Sequence, residues 1–155
     1  MAGGMSSTSG VHIWLVLLKA HRSLARHAER SIARFDLGFS EFAILELLLN
    51  KGPQKVSEIG RRVNLTSGSI TSAIDRLETA RLVNRTFDAL DRRSRIVELT
   101  TRGRAQIVEA FEFHATVMET AAAGLSKAER ATLLSLLKKL GLSAEKRFTG
   151  DTNDE

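Results

Sequence analysis

Residues 11 to about 34 contain no glycine or proline, and Trp14, Leu18, Ala25, Ala28 and Ile32 recur at separations of three, four or seven. That spacing predicts a first helix of about 24 residues, roughly 36 Å long, whose apolar positions need a cover. Gly38 interrupts the pattern. Ser40 offers an N-cap for a second helix over residues 41–49, closed by Lys51-Gly52-Pro53. Ser57 then caps a short segment over 58–63, and a tight Asn64-Leu65-Thr66 connection leads to a helix from about Ser67 to about Ala80. Two short helices joined by a turn, the second opening on small hydroxyl side chains, form the helix-turn-helix pattern.

Farther along, residues 82–87 and 95–99 read as short strands, with β-branched Val83, Thr86, Ile96 and Val97. The polar stretch between them, residues 88–94, suits a hairpin loop. Thr100 or Thr101 caps a long helix from 102 to about 123. Ser126-Lys127-Ala128-Glu129 is a capping box that opens a last helix to about Phe148, with Leu133, Leu134, Leu136, Leu137 and Leu140 over one wide face. The polar ends, residues 1–10 and 149–155, are expected to be disordered tails. No internal repeat interrupts this order. The expected fold is therefore mainly α with a small β-hairpin wing. A winged helix-turn-helix over about 40–100 is flanked by long terminal helices over about 11–34 and 102–148.

Length and composition agree with one soluble globular domain: 155 residues, 43% hydrophobic and 26% charged. The absence of cysteine excludes disulfides, thiol catalysis, thiol-based oxidant sensing and Cys-ligated zinc. The apolar run Trp14-Leu15-Val16-Leu17-Leu18, with Ile13 before it, falls far short of the roughly 20 residues that span a bilayer. It lacks the flanks of a signal peptide, so no membrane partner is expected. Charge changes the picture more. The chain carries +5, and residues 61–104 hold ten arginines and no lysine against five carboxylates, so the whole excess lies in that stretch. It coincides with the second helix of the helix-turn-helix and the hairpin. Arginine's planar fork suits phosphate oxygens and guanine edges, which points to nucleic acid; a solvated basic face is the alternative.

Several motifs in order carry a family resemblance. They are Leu65-Thr66-Ser67-Gly68-Ser69-Ile70-Thr71, then Asp75-Arg76-Leu77-Glu78 and Leu82-Val83-Asn84-Arg85. Asp91-Arg92-Arg93-Ser94-Arg95 and Leu99-Thr100-Thr101-Arg102-Gly103 follow. Together, over residues 11 to about 147, the chain resembles the MarR family of bacterial transcriptional regulators. The Ser-Gly-Ser-Ile-Thr variant is similar to a branch that includes repressors of catabolic or quinone-detoxification genes. The resemblance implies an obligate homodimer, in which the first, fifth and sixth helices interlock and cover the apolar positions of the terminal helices. It also implies a cytoplasmic bacterial protein that binds double-stranded DNA, acts most often as a repressor on a pseudo-palindromic operator, and answers to a small phenolic or anionic effector. A monomer that folds its terminal helices together is the competing arrangement.

In such a protein the recognition helix enters the major groove by its amino end. Thr66, Ser67, Ser69, Thr71 and Ser72 carry short hydroxyls for base edges or phosphates, and Gly68 lets the backbone approach. Arg76 reaches DNA or pairs with Asp75 or Glu78, while Ile70, Ile74 and Leu77 are core. In the wing, the resemblance makes Asp91 and Arg93 a loop-shaping ion pair and sends Arg92, Arg93 or both into the minor groove. Arg61, Arg62, Arg85 and Arg95 are candidate phosphate contacts or solvated charges. Trp14, His21 and Phe111 are candidates for an effector crevice, or for packing.

No catalytic or cofactor constellation is visible. His12, His21, His27 and His114 lack the i, i+4 spacing that puts two metal ligands on one helix face, so neither an enzyme nor a metal sensor is expected. There is no Gly-rich phosphate loop, and no serine has an adjacent histidine to activate it. The remaining functional class is a winged-helix protein-interaction module without DNA binding, which would not require a hydroxyl-rich recognition helix or an arginine wing.

Overall fold

A computed structural model of the chain describes residues 8–63, 66–88 and 94–151. The polypeptide divides into two compact units, one ending at Met118 and the other beginning at Glu119. The expectations for residues 1–7, for Asn64 and Leu65, for the wing residues Asp91, Arg92 and Arg93, and for residues 152–155 lie outside the described part.

Helix α1 is Gly10–Ala33. Ser9 caps it by accepting the His12 backbone N–H at 3.2 Å, so Gly10 belongs to the helix and not to a tail. Helix α2 is Phe39–Lys51, two residues longer at each end than the pattern predicts. Its N-cap is extended Gly38 and not Ser40. The physical reason is the third helical residue, Glu41, whose carboxylate folds back so far that a Cβ on residue 38 would lie 2.5 Å from its Oε2. A short strand β1, Gln54–Lys55, precedes α3, Val56–Val63, and α4 is Ser67–Thr79. Strands β2, Val83–Phe87, and β3, Arg95–Leu99, form the hairpin.

The sheet is antiparallel in the order β1-β3-β2, with Gln54 paired to Val97 and Val83 to Leu99. β1 is the element the pattern misses, because two residues carry no alternation and only pairing with β3 makes them a strand. The core of this unit gathers Ile44, Leu45 and Leu48 of α2, Ile59 of α3, Ile74 and Leu77 of α4, Val83, Val97 and Ile107, all essentially inaccessible. Helix α4 ends in a Schellman turn: the Leu82 N–H reaches Leu77 O at 2.9 Å, the Arg81 N–H reaches Glu78 O, and Arg81 takes a left-handed φ of 59°.

Helix α5 is Thr101–Ala121. Of the two candidate caps, Thr100 acts: its hydroxyl accepts the Gly103 N–H at 2.9 Å and donates to Arg81 O at 2.8 Å. α5 then crosses the turn before β2 so closely that a Cβ on Gly103 would sit 1.9 Å from Leu82 O. α1 joins this unit through α5. Ser31 donates to Ala28 O at 2.8 Å, so its oxygen accepts from His114 Nδ1, also at 2.8 Å. Phe35 meets Phe113 edge-on at 5.9 Å, and the His114 ring lies 5.1 Å from Phe42. Burial holds the His114 pKa below its ordinary 6.5.

The second unit contains α6, Lys127–Asp151. Its capping box forms as the sequence predicts: the Ser126 N–H donates to Glu129 Oε2 at 2.8 Å and the Glu129 N–H to Ser126 Oγ at 3.3 Å. The hydrogen bond from the Ser126 hydroxyl, then that from its backbone, hold the Glu129 carboxyl below the usual carboxylate range. Arg130 ties the preceding turn, donating to Ala122 O at 2.9 Å and pairing with Glu119 at 2.5 Å. Along α6, Leu133, Leu134, Leu136, Leu137, Leu140, Leu142 and Phe148 all stand exposed. Among the described residues no helix is long and apolar enough to cross a membrane.

Candidate nucleic-acid interface

The amino end of α4 is built by Thr66, whose hydroxyl accepts the Ser69 N–H at 3.4 Å and bonds to the Ser69 hydroxyl at 2.9 Å. Along the helix Ile70, Ala73, Ile74 and Leu77 face the core. Helical geometry therefore turns Gly68, Ser69, Thr71 and Ser72 outward, and all four are exposed together with Thr66. A Cβ on Gly68 would meet open space. The result is a helix N-terminus with small side chains, oriented backbone N–H groups and the positive end of the helix dipole, a surface that accepts anionic oxygens and base-edge acceptors. Ser67 opens the helix by its backbone, and its side chain is outside the described part.

The arginines sort by partner. Arg61 pairs with Glu58, and Arg62 Nε lies 3.9 Å from the same carboxylate; both arginine side chains remain exposed. Arg76 pairs with neither Asp75 nor Glu78. It donates from Nε to Glu41 Oε1 at 2.5 Å, tying α4 back to the start of α2. Arg85, expected as a phosphate contact or a solvated charge, is held by carboxylates of α4. Its side chain is only 23% exposed, it pairs with Asp75, and its Nε stands 3.3 Å from Glu78 Oε2 in ion-pair rather than hydrogen-bond alignment. Two carboxylates of α4 therefore hold β2 in place through it. The alternation Val83, Arg85 carried this signal, since residues two apart on a strand share a face and Val83 is core. Arg95 differs from all of these: its guanidinium carbon lies 3.6 Å from the ring centroid of Phe87. Lys55 and Asp88 form an ion pair at 2.7 Å that joins β1 to the hairpin, a link that the sequence pattern does not reveal.

The three effector candidates do not converge. Trp14 is 59% exposed on α1, and His21 lines a surface groove with Lys19, Arg22, Arg26 and Glu29. Phe111 stacks on Phe42, with centroids 6.4 Å apart and rings 10° from parallel. A separate cleft between α1 and α5 is lined by His27, Arg30, Ser31, Arg34, Phe113 and Val117, and Arg34 lies over the Phe113 ring at 4.6 Å. Among the described residues no cluster of three His, Asp or Glu side chains is arranged to hold a metal ion.

Comparison with known proteins decides the identity of this arrangement. The MarR family model matches residues 39–94, the span from the start of α2 to the residue before β3. The Bacillus subtilis uncharacterized HTH-type transcriptional regulator YkoM is 36% identical over 87% of this chain and 88% of its own length. The chain belongs to the MarR family. The HTH-type transcriptional regulator MhqR of B. subtilis is 35% identical over 86% of this chain and 92% of its own. In fold, this MarR-family chain matches a mutant MarR from E. coli complexed with operator DNA, with a TM-score of 0.78 at 21% identity, over 88% of this chain and 99% of that one. The protein is accordingly a DNA-binding transcriptional regulator with a winged helix-turn-helix.

Proposed function

We propose that this regulator acts as a homodimeric repressor on a pseudo-palindromic operator and that a small anionic effector releases it. One observation carries the DNA contact: the exposed Thr66, Gly68, Ser69, Thr71 and Ser72 on a helix whose opposite face is entirely core. Such a helix presents its amino end to the major groove, and Ser67 is a further DNA contact in this reading. Arg61 and Arg62, which share the Glu58 carboxylate and remain exposed, contribute phosphate contacts. Arg92, Arg93 or both enter the minor groove in this reading, with Asp91 shaping the loop between the strands.

Dimerisation is supported by apolar surface that nothing among the described residues covers. Val11, Trp14, Leu15 and Val16 on α1, and the leucines of α6, stand exposed in numbers a soluble monomer rarely carries. A two-fold dimer sets two recognition helices about 34–36 Å apart, one turn of duplex. Effector binding acts by shifting that separation. The cleft of Arg30, Arg34 and Phe113 has the chemistry for an aromatic anion, with guanidinium groups for the charge and a ring for the apolar face.

The test is a salt titration of binding to a duplex from the protein's own upstream region against a scrambled duplex. Steep salt dependence, with roughly 6–10 phosphates neutralised and a preference of about 10³-fold or more, is the expected result. Arg92→Ala with Arg93→Ala flattens the salt slope. Ser69→Ala relaxes sequence preference, at about 1–3 kcal/mol for each base-edge hydrogen bond removed. No binding at low salt would overturn the proposal in favour of a protein-interaction module.

A further inference from the structure

Phe87 and Arg95 are the last register pair of the hairpin, immediately before the seven residues 88–94 that join the strands. Directly opposed positions on an antiparallel ladder bring side chains together, and here they place a guanidinium over a ring at 3.6 Å. The ring itself is 59% exposed on a polar hairpin. Its face of β2 runs from buried Val83 through half-buried, ion-paired Arg85 to Phe87, which lies past the point where the core ends. Burial does not explain a phenylalanine there. Partnership does: among the described residues Arg95 has no carboxylate within ion-pair distance, whereas Arg61, Arg62, Arg76 and Arg85 all do.

We infer that Phe87 is a positioning residue for DNA binding, holding the Arg95 guanidinium flat against its ring so that an unneutralised charge faces the operator backbone beside the wing. The ring restricts a long flexible side chain and keeps its N–H groups free at the edges, where phosphate oxygens can accept from them. An ion pair at this position would orient the arginine equally well but cancel its charge. The inference rests on the wing lying in the DNA interface, as proposed above.

The experiment measures affinity for the upstream duplex against salt concentration, using the full chain with Arg95→Ala, Phe87→Ala, Phe87→Leu, Phe87→Tyr and the Phe87→Ala/Arg95→Ala pair. Thermal unfolding of each variant serves as the folding control. Arg95→Ala should weaken binding equally on specific and scrambled DNA and lower the log–log salt slope by about 0.9 for each phosphate no longer neutralised. Phe87→Ala and Phe87→Leu should each weaken binding about threefold while leaving the melting temperature near the parent's, and Phe87→Tyr should retain affinity. The double variant should bind like Arg95→Ala alone. Wild-type affinity in Phe87→Ala and Phe87→Leu would overturn the positioning role. A further weakening from Phe87→Ala in the Arg95→Ala background would overturn it differently, making the ring itself touch DNA. Should Arg95→Ala have no effect while Arg92→Ala/Arg93→Ala does, this inference fails and the wing reading stands; should neither have an effect, the wing reading fails with it.

Discussion

Arg85 and Arg95 are both arginines of one hairpin, yet the fold uses them in opposite ways. Arg85 is locked between Asp75 and Glu78, while Arg95 lies on an aromatic face and has no carboxylate partner among the described residues. Composition identifies the basic region but cannot rank its members, because the neutralising carboxylate comes from another element in each case except the α3 pairs with Glu58. Gly103 shows the same dependence on a neighbour. The sequence marks it as part of a motif; the structure shows that α5 passes over Leu82 O with no room for a methyl group. Gly103→Ala should therefore destabilise the winged helix by about 1–3 kcal/mol, because the clash is with backbone that cannot rotate away. Urea unfolding checks this, and an unchanged midpoint would show that α5 can slide.

Helix starts were legible where the cap is local. Thr100, one of two candidates, and Ser126 of the capping box each bond to a backbone N–H three residues on, which a short window of sequence contains. Ser9 instead caps α1 from a stretch that reads as a tail, and Thr66 caps α4 from one that reads as a connection. Gly38 was not legible, since its role follows from the Glu41 carboxylate that turns back over it on the way to Arg76. The α1–α5 junction likewise depends on partners 83 positions apart, Ser31 and His114. At this scale pH becomes informative. The folded-state pKa of His114 lies below 6.5, so between the two values the unfolded chain binds more protons than the folded one. Its contribution to stability is complete above about pH 6.5 and is lost as pH falls through that value toward the folded-state pKa. Thermal unfolding from about pH 7.5 to about 5.5 should show a steeper decline for the parent than for His114→Gln. Parallel curves would mean the imidazole charges freely in place.

For the molecule as a whole, the surface left uncovered is as telling as the core. Apolar side chains on α1 and α6 are exposed in a single chain, and the proposed dimer is what removes them from water. Leu134→Asp with Leu137→Asp should abolish the dimer in sedimentation equilibrium. Operator affinity should then fall by about 10²-fold or more, because binding at the second half-site no longer benefits from being tethered to the first. A parent protein that sediments as a monomer at micromolar concentration would contradict the homodimer directly.

Periodicity, caps and the order of motifs were sufficient for the helix order, the hairpin, the family and the outward row on α4, because each is written within one or two turns of chain. Everything that depends on what lies across a gap was decided only by folding. Strand β1 exists through its pairing with β3, Arg76 is turned toward Glu41, Arg85 is neutralised by α4, and Arg95 finds Phe87 through strand register. The physical reason is the same throughout. Backbone hydrogen bonds and side-chain spacing within an element are short-range, while ion pairing, close packing and burial are properties of elements brought together.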